Sequence, residues 1–144
     1  MKAFYQSKKV FITGHTGFKG SWLTALLYNL GAEITGYALS PKTQPNLFQA
    51  IEGNSLCKSI IGDIRDVVYL HSQMKKCQPD IVFHLAAQPI VRTSYEIPAE
   101  TFEINSIGTA NVLDGIRLLD NPCVAVMITT DKVYENNETG QAYK

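Results

Sequence analysis

The stretch that most constrains this chain is Lys9-Val10-Phe11-Ile12-Thr13-Gly14-His15-Thr16-Gly17-Phe18-Lys19-Gly20. A β-branched, apolar run ends in a Gly-rich turn, and the turn opens into an amphipathic segment, the pattern of strand, loop and helix. Gly14 permits a sharp exit from the strand. Gly17 leaves no side chain between the backbone and a pyrophosphate, and Gly20 lets the helix pack close to the strand. The free amides and the positive dipole end of the helix then face the phosphates. Thr16 and Phe18, set between the glycines, belong to the same loop. Gly-rich turns also occur where nothing binds. Here both flanking patterns are present and the triplet lies near the N-terminus, so the stretch points to a dinucleotide site.

The 144 residues suit one compact domain, and 45% hydrophobic residues suffice for a core. Thirteen basic residues balance thirteen acidic ones, which gives no electrostatic case for nucleic acid or an anionic membrane. The first nine residues lack the apolar run of a signal peptide, and no segment is long enough to span a bilayer. Cys57, Cys77 and Cys123 are odd in number and not in C-x-x-C spacing, so neither a disulfide framework nor a structural metal is predicted. The expectation is a reduced, cytoplasmic protein.

In chain order, residues 21–30 carry Trp22, Leu23, Leu26, Leu27 and Leu30 at helical spacing, which predicts a helix with those residues on its buried face. Gly31 fits its left-handed stop. Residues 33–39 read as a second strand, and Pro41 and Pro45 make 40–45 a loop. Asn46 caps a short helix over 47–52, closed by Gly53. Residues 59–63 form a third strand, and Asp66 caps a helix over 67–77. The continuous apolar run over 81–87 suits a central parallel strand covered on both faces. A polar loop over 88–98, a long helix over 99–119, a fifth strand over 124–129 and a loose polar tail follow. The alternation predicts an α/β fold, a doubly wound parallel sheet with right-handed crossovers.

In such a sheet ligands gather at the carboxyl ends of the strands, near the switch in strand order. The strand-end residues to watch are Thr13, Tyr37, Asp63, Ala86 and Thr129. No acid closes the second strand, so the usual ribose contact of an NAD site is missing. Ser40 can bond the ribose instead. Lys42 can attract the 2′-phosphate of NADP, or is simply a solvated loop lysine. Asp63 can accept from the adenine amine with Ile64 against the ring, or it shapes a turn as Asp66 caps a helix. Small residues in Leu85-Ala86-Ala87-Gln88 let the backbone approach a nicotinamide ribose. His84 reads as a packed strand histidine rather than a base, His15 as polar filler, and His71 as exposed on a helix. Thr130, Asp131 and Lys132 place a donor, an acid and a base at the end of the fifth strand, a setting for acid–base work. Ordinary turn residues are the plain alternative.

Together these stretches resemble the extended short-chain dehydrogenase/reductase family of nucleotide-sugar enzymes, with a Rossmann-type fold. The residues carrying the resemblance are 13–20, 62–66, 84–89, Asn105 with Gly108, Thr109 and Asn111, and 129–136. A finer similarity, in His15-Thr16-Gly17-Phe18-Lys19-Gly20-Ser21-Trp22, in 88–95 and in Thr-Thr-Asp-Lys followed by Tyr134-Glu135-Asn136, is to the 4,6-dehydratase branch acting on CDP-glucose. The resemblance implies bound NAD, a CDP-glucose substrate and a CDP-4-keto-6-deoxyglucose product on the way to bacterial surface deoxysugars. It implies that Thr130 holds the C4 oxygen, that Asp131 helps water leave, and that Lys132, where related dehydratases have Glu, lies near the C5 proton. Arg92 and Tyr95 would line the sugar side, and Asn105 would be structural. The family's Tyr-x-x-x-Lys does not occur in these 144 residues: Tyr143-Lys144 are adjacent, and Tyr134 is followed four residues on by Glu138. The expectation is therefore an N-terminal cofactor-binding part, 1–144, sheet truncated after about five strands, without the substrate domain and inactive alone. The full-length protein is expected to be a homodimer through the 99–119 helix.

Overall fold

The computed structural model describes residues 1–130 and Gly140. Residues 131–139 and 141–144, and with them Asp131, Lys132 and Tyr134, lie outside the described residues. Five parallel strands, β1 (Lys9–Thr13), β2 (Glu33–Ala38), β3 (Lys58–Ile61), β4 (Ile81–His84) and β5 (Val124–Met127), form one sheet in the order β3-β2-β1-β4-β5. The order reverses at β1, between its neighbours β2 and β4, and Thr13 pairs in register with His84 there.

Alternation along β1 builds two cores. Val10 and Ile12 point to one face, where they pack with Leu27, Ile34 and Ile81. Phe11 points to the other, against Tyr37, Leu70, Met74, Val82 and Val112. The first face is covered by α2 (Phe18–Asn29), the second by α5 (Val67–Cys77) and α8 (Gly108–Arg117). A short α1 (Lys2–Tyr5) precedes the sheet, α3 (Leu47–Ala50) and α4 (Gly53–Leu56) connect β2 to β3, and α6 (Val91–Glu96) and α7 (Pro98–Phe102) follow β4. No helix among the described residues is long and apolar enough to cross a membrane.

Local signals placed several elements well. The Asp66 carboxylate accepts from the Tyr69 amide and starts α5, and Asn46 accepts from the Gln49 amide and starts α3. Gly31 takes a φ of 85° after α2. Other readings need correction. The buried face of α2 carries Gly20, Ser21, Thr24 and Leu27, while Trp22 and Leu26 are more than half exposed. The helix lies so close to the Gly-rich turn that only small residues fit between them. Gly53 opens α4 instead of closing the preceding helix. The expected loop over 88–98 contains α6, and the expected helix over 99–119 is interrupted by a π-helical turn, Glu103–Ile107.

Candidate functional site

The Gly-rich turn sits at the carboxyl end of β1, at the switch point. Gly14 has a φ of 79°, and a Cβ there would come 2.8 Å from the Ala86 amide nitrogen. A Cβ on Gly20 would overlap the Gly14 carbonyl, so the glycine is what brings α2 down onto the turn. Gly17 is the N-cap of α2, is exposed, and has no side chain bonding the first-turn amides. No acid lies in that first turn, and Lys19 does. The helix start thus keeps its donors and its positive end available to an anion. Thr16 donates to the Leu39 carbonyl at 2.8 Å, tying the turn to the end of β2. Phe18 stands 72% exposed beside it.

His15 is not filler. It is fully buried, its Nε2 lies 2.7 Å from the Ser59 hydroxyl on β3, and its ring meets Phe48 edge-on. Its Nδ1 is buried without a hydrogen-bond partner among the described residues. Burial pulls its pKa down to about 4, against a smaller upward pull from the Tyr37 backbone. His71 also departs from expectation: it is half-buried, and its Nε2 donates to the Asn111 carbonyl at 2.9 Å.

Beyond β3, Arg65 grips Asp63 through both carboxylate oxygens, with Nη2 at 2.6 Å, and the Arg65 amide bonds the same carboxylate at 2.9 Å. These bonds hold the Asp63 carboxyl below the usual carboxylate range despite partial burial. Arg65 also reaches Glu100 at 3.1 Å and Glu103 at 3.5 Å. Tyr37, fully buried, donates to the Asp63 carbonyl, and burial raises its pKa first of all, with nearby Asp66, Tyr69 and Asp63 adding to the rise. Ile64 is only 4% exposed, packs in the core and lies where a Gly108 side chain would be. Ser40 and Lys42 are both exposed past the end of β2.

The segment after β4 is pinned at both ends. The Thr13 hydroxyl accepts from the Leu85 and Ala86 amides, each at 3.2 Å. Asn105, in the π-helical turn, accepts from the Gln88 amide at 2.8 Å and donates to the Gln88 carbonyl at 3.0 Å. The Gln88 side chain is spent on Ile90 and Thr101. Asn105 is thus structural, as read, and Ala87 is left at the surface. His84 is 4% exposed, and burial lowers its pKa, so it is the packed histidine expected. Arg92 and Tyr95 are exposed on α6, where Arg92 pairs with Glu96 at 3.5 Å. Thr130 is exposed beyond β5. Among the described residues no group of His, Cys, Asp or Glu is placed to hold a metal.

Missed by the sequence reading were the buried anchor of His15 and the π-helical turn that delivers Asn105. The only signal for the first was a glycine at 36 opposite a bulky loop residue.

A five-stranded parallel sheet in this order, with a Gly-rich turn at its switch point, defines a protein of the Rossmann-like class. The GDP-mannose 4,6 dehydratase family model matches residues 11–142. The chain belongs to this extended short-chain dehydrogenase/reductase family of nucleotide-sugar dehydratases and epimerases. It is 48% identical over 143 residues to the CDP-glucose 4,6-dehydratase of Salmonella typhimurium, covering 99% of this chain and 40% of that protein. It is 33% identical over 131 residues to the CDP-paratose 2-epimerase of Salmonella typhi, covering 90% and 39%. Among solved structures, the UDP-glucose 4-epimerase of Brucella ovis in complex with NAD superposes with a TM-score of 0.66 at 31% identity, over 78% of this chain and 33% of that one. The chain spans about two fifths of the length of the curated relatives it matches.

Proposed function

We propose that this chain is the NAD-binding part of a CDP-glucose 4,6-dehydratase. The observation that carries the reading is the cradle: a positive-φ Gly14, a Gly20 that seats α2 against it, and an exposed Gly17 N-cap whose amides no side chain covers. The group fits, because a side chain at Gly17 would stand at the surface where a pyrophosphate must come against backbone. Similarity to the Salmonella typhimurium dehydratase supports the CDP-sugar substrate.

Gly14, Thr16, Gly17, Phe18 and Gly20 hold the pyrophosphate end. Ser40, Asp63 and the Ile64 backbone hold the adenosine, and Leu85, Ala86, Ala87 and Gln88 face the nicotinamide ribose. The chemistry NAD would supply there is reversible hydride transfer, from C4 of the hexose and back to C6. Thr130 donates to the C4 oxygen. Asp131 passes a proton to the departing C6 hydroxyl, and Lys132 lies near the C5 proton, which leaves C5 and is restored there when C6 is reduced, while the proton given up by the C4 hydroxyl balances the one carried off in water; both residues are outside the described residues. The sum is loss of one water, with C4 oxidised and C6 reduced. Arg92 and Tyr95 meet the sugar nucleotide. The exposed Phe102, Ile107 and Leu113 support a homodimer of the longer protein through this helix face.

The test titrates the 144-residue chain with NAD and with NADP, and assays CDP-glucose dehydration by the chain and by a protein of the relatives' length. Expected are NAD binding by the chain without turnover, and turnover by the longer protein. Binding with no turnover of any nucleotide sugar by the longer protein would replace the enzyme with a dinucleotide-binding module.

A further inference from the structure

The two pins on the segment after β4 are joined by one side chain. His84 Nδ1 lies 2.7 Å from the Thr13 hydroxyl, and its Nε2 lies 2.9 Å from the Thr109 hydroxyl. Thr109 in turn donates to the Asn105 carbonyl at 2.7 Å. The proton positions follow by elimination. Thr13 Oγ1 accepts from the Ala86 amide and shares the Leu85 amide with the Thr13 backbone carbonyl, which takes it at 3.1 Å, and its one proton goes to His84 Nδ1. Thr109 gives its one proton to Asn105, so it must accept from His84 Nε2. Both ends require the same neutral tautomer, with hydrogen on Nε2. The bonds run Thr13 to His84 to Thr109 to the Asn105 backbone carbonyl, and the side-chain amide of the same Asn105 holds the Gln88 backbone in both directions.

We infer that His84 is a positioning residue for the nicotinamide half of the cofactor site: through Thr13 and through Thr109 with Asn105 it fixes the backbone of 85–88 against the Gly-rich turn. The inference rests on the proposed dinucleotide site. It concerns one half of that site, because the residues facing the adenosine half, Ser40 and Asp63, have no bond to this chain of groups among the described residues. A ring in the other tautomer mismatches both ends, whereas a side chain with only one polar atom breaks one pin and leaves the other.

The experiment compares NAD with ADP, which lacks the nicotinamide riboside, by calorimetric titration of the full 144-residue chain. His84→Gln keeps a donor for Thr109 and has no acceptor at the Nδ1 position for Thr13, whereas Thr109→Val cuts the far end at a half-buried position on α8. Each variant should weaken NAD about tenfold, the loss of one buried hydrogen bond, and leave ADP within about twofold. Equal weakening of both ligands, or of neither, in Thr109→Val overturns the inference, even where His84→Gln fails to fold. If the unaltered chain binds neither ligand, the dinucleotide reading itself falls. If it binds both and the variants keep their ratio, only the role of His84 falls.

Discussion

The imidazole of His15 occupies the space that a side chain on Gly36 would fill. The ring leaves the Gly-rich turn, crosses β2 at this glycine and reaches Ser59 on β3, so a residue of that turn is anchored two strands away. Gly36→Ala must displace the ring or bend β2. It should cost about 1–3 kcal/mol, the usual range for overpacking a tight core. Urea unfolding reads this directly, and an unchanged midpoint would show that the ring moves aside freely.

The same burial makes stability depend on acid. The folded pKa of His15 is about 4 against 6.5 in a free histidine, so the unfolded chain binds the proton more readily between these values. Its contribution is complete above pH 6.5 and is lost as pH falls toward 4. His84 is shifted in the same direction by burial and adds to the loss. Melting temperature followed from pH 7 to 4 should fall more steeply than in a His15→Gln variant; parallel curves would refute this assignment.

Gly17 and Gly20 should separate binding from folding. Gly17→Leu adds a side chain at an exposed N-cap, 3.3 Å from the nearest carbonyl, and should abolish NAD binding with a loss of no more than about 1 kcal/mol in stability. Gly20→Ala drives a methyl into the Gly14 carbonyl and should lower stability by about 2 kcal/mol or more. Circular dichroism melts alongside NAD titration distinguish the two, and unchanged NAD affinity in Gly17→Leu would remove the cradle assignment.

Asp63 should act on the adenine end. Asp63→Ala removes an acceptor and releases Arg65, so NAD and ADP should weaken together, by about five- to tenfold. Because the pair is roughly a third exposed, the stability change should stay near about 1 kcal/mol. A loss confined to NAD would place Asp63 elsewhere in the site.

In an enzyme of the relatives' length, Thr130→Val should slow C4 oxidation about a hundredfold, the low end for a lost positioned donor, with NAD affinity unchanged. Single-turnover reduction of NAD measures it, and an unaffected rate would remove Thr130 from the chemistry.

What could be read from the sequence was whatever is decided locally. Asp66 and Asn46 cap helices because their carboxylate and amide oxygens reach amides three residues on, and both helices begin as read. The cradle was legible because only glycine tolerates the geometry at 14 and 20. The inner face of α2 was misread because helical spacing cannot know that a loop lies too close for Trp22 or Leu26. His15 and the π-helical turn depend on Ser59 and Gln88, partners 44 and 17 residues away, and no local pattern announces them.

The turn at Glu103–Ile107 also limits how this segment can vary. A π-helical turn is an α-helix with one residue too many, so deleting any residue between 103 and 107 would restore ordinary winding. Val112 could keep its seat in the core and Gly115 its seat against α5, but everything before the deletion would swing around the axis, carrying the Asn105 amide off the Gln88 backbone. Length variants that are harmless in an exposed helix should be forbidden here, and a screen of single-codon deletions would find a gap at these five positions.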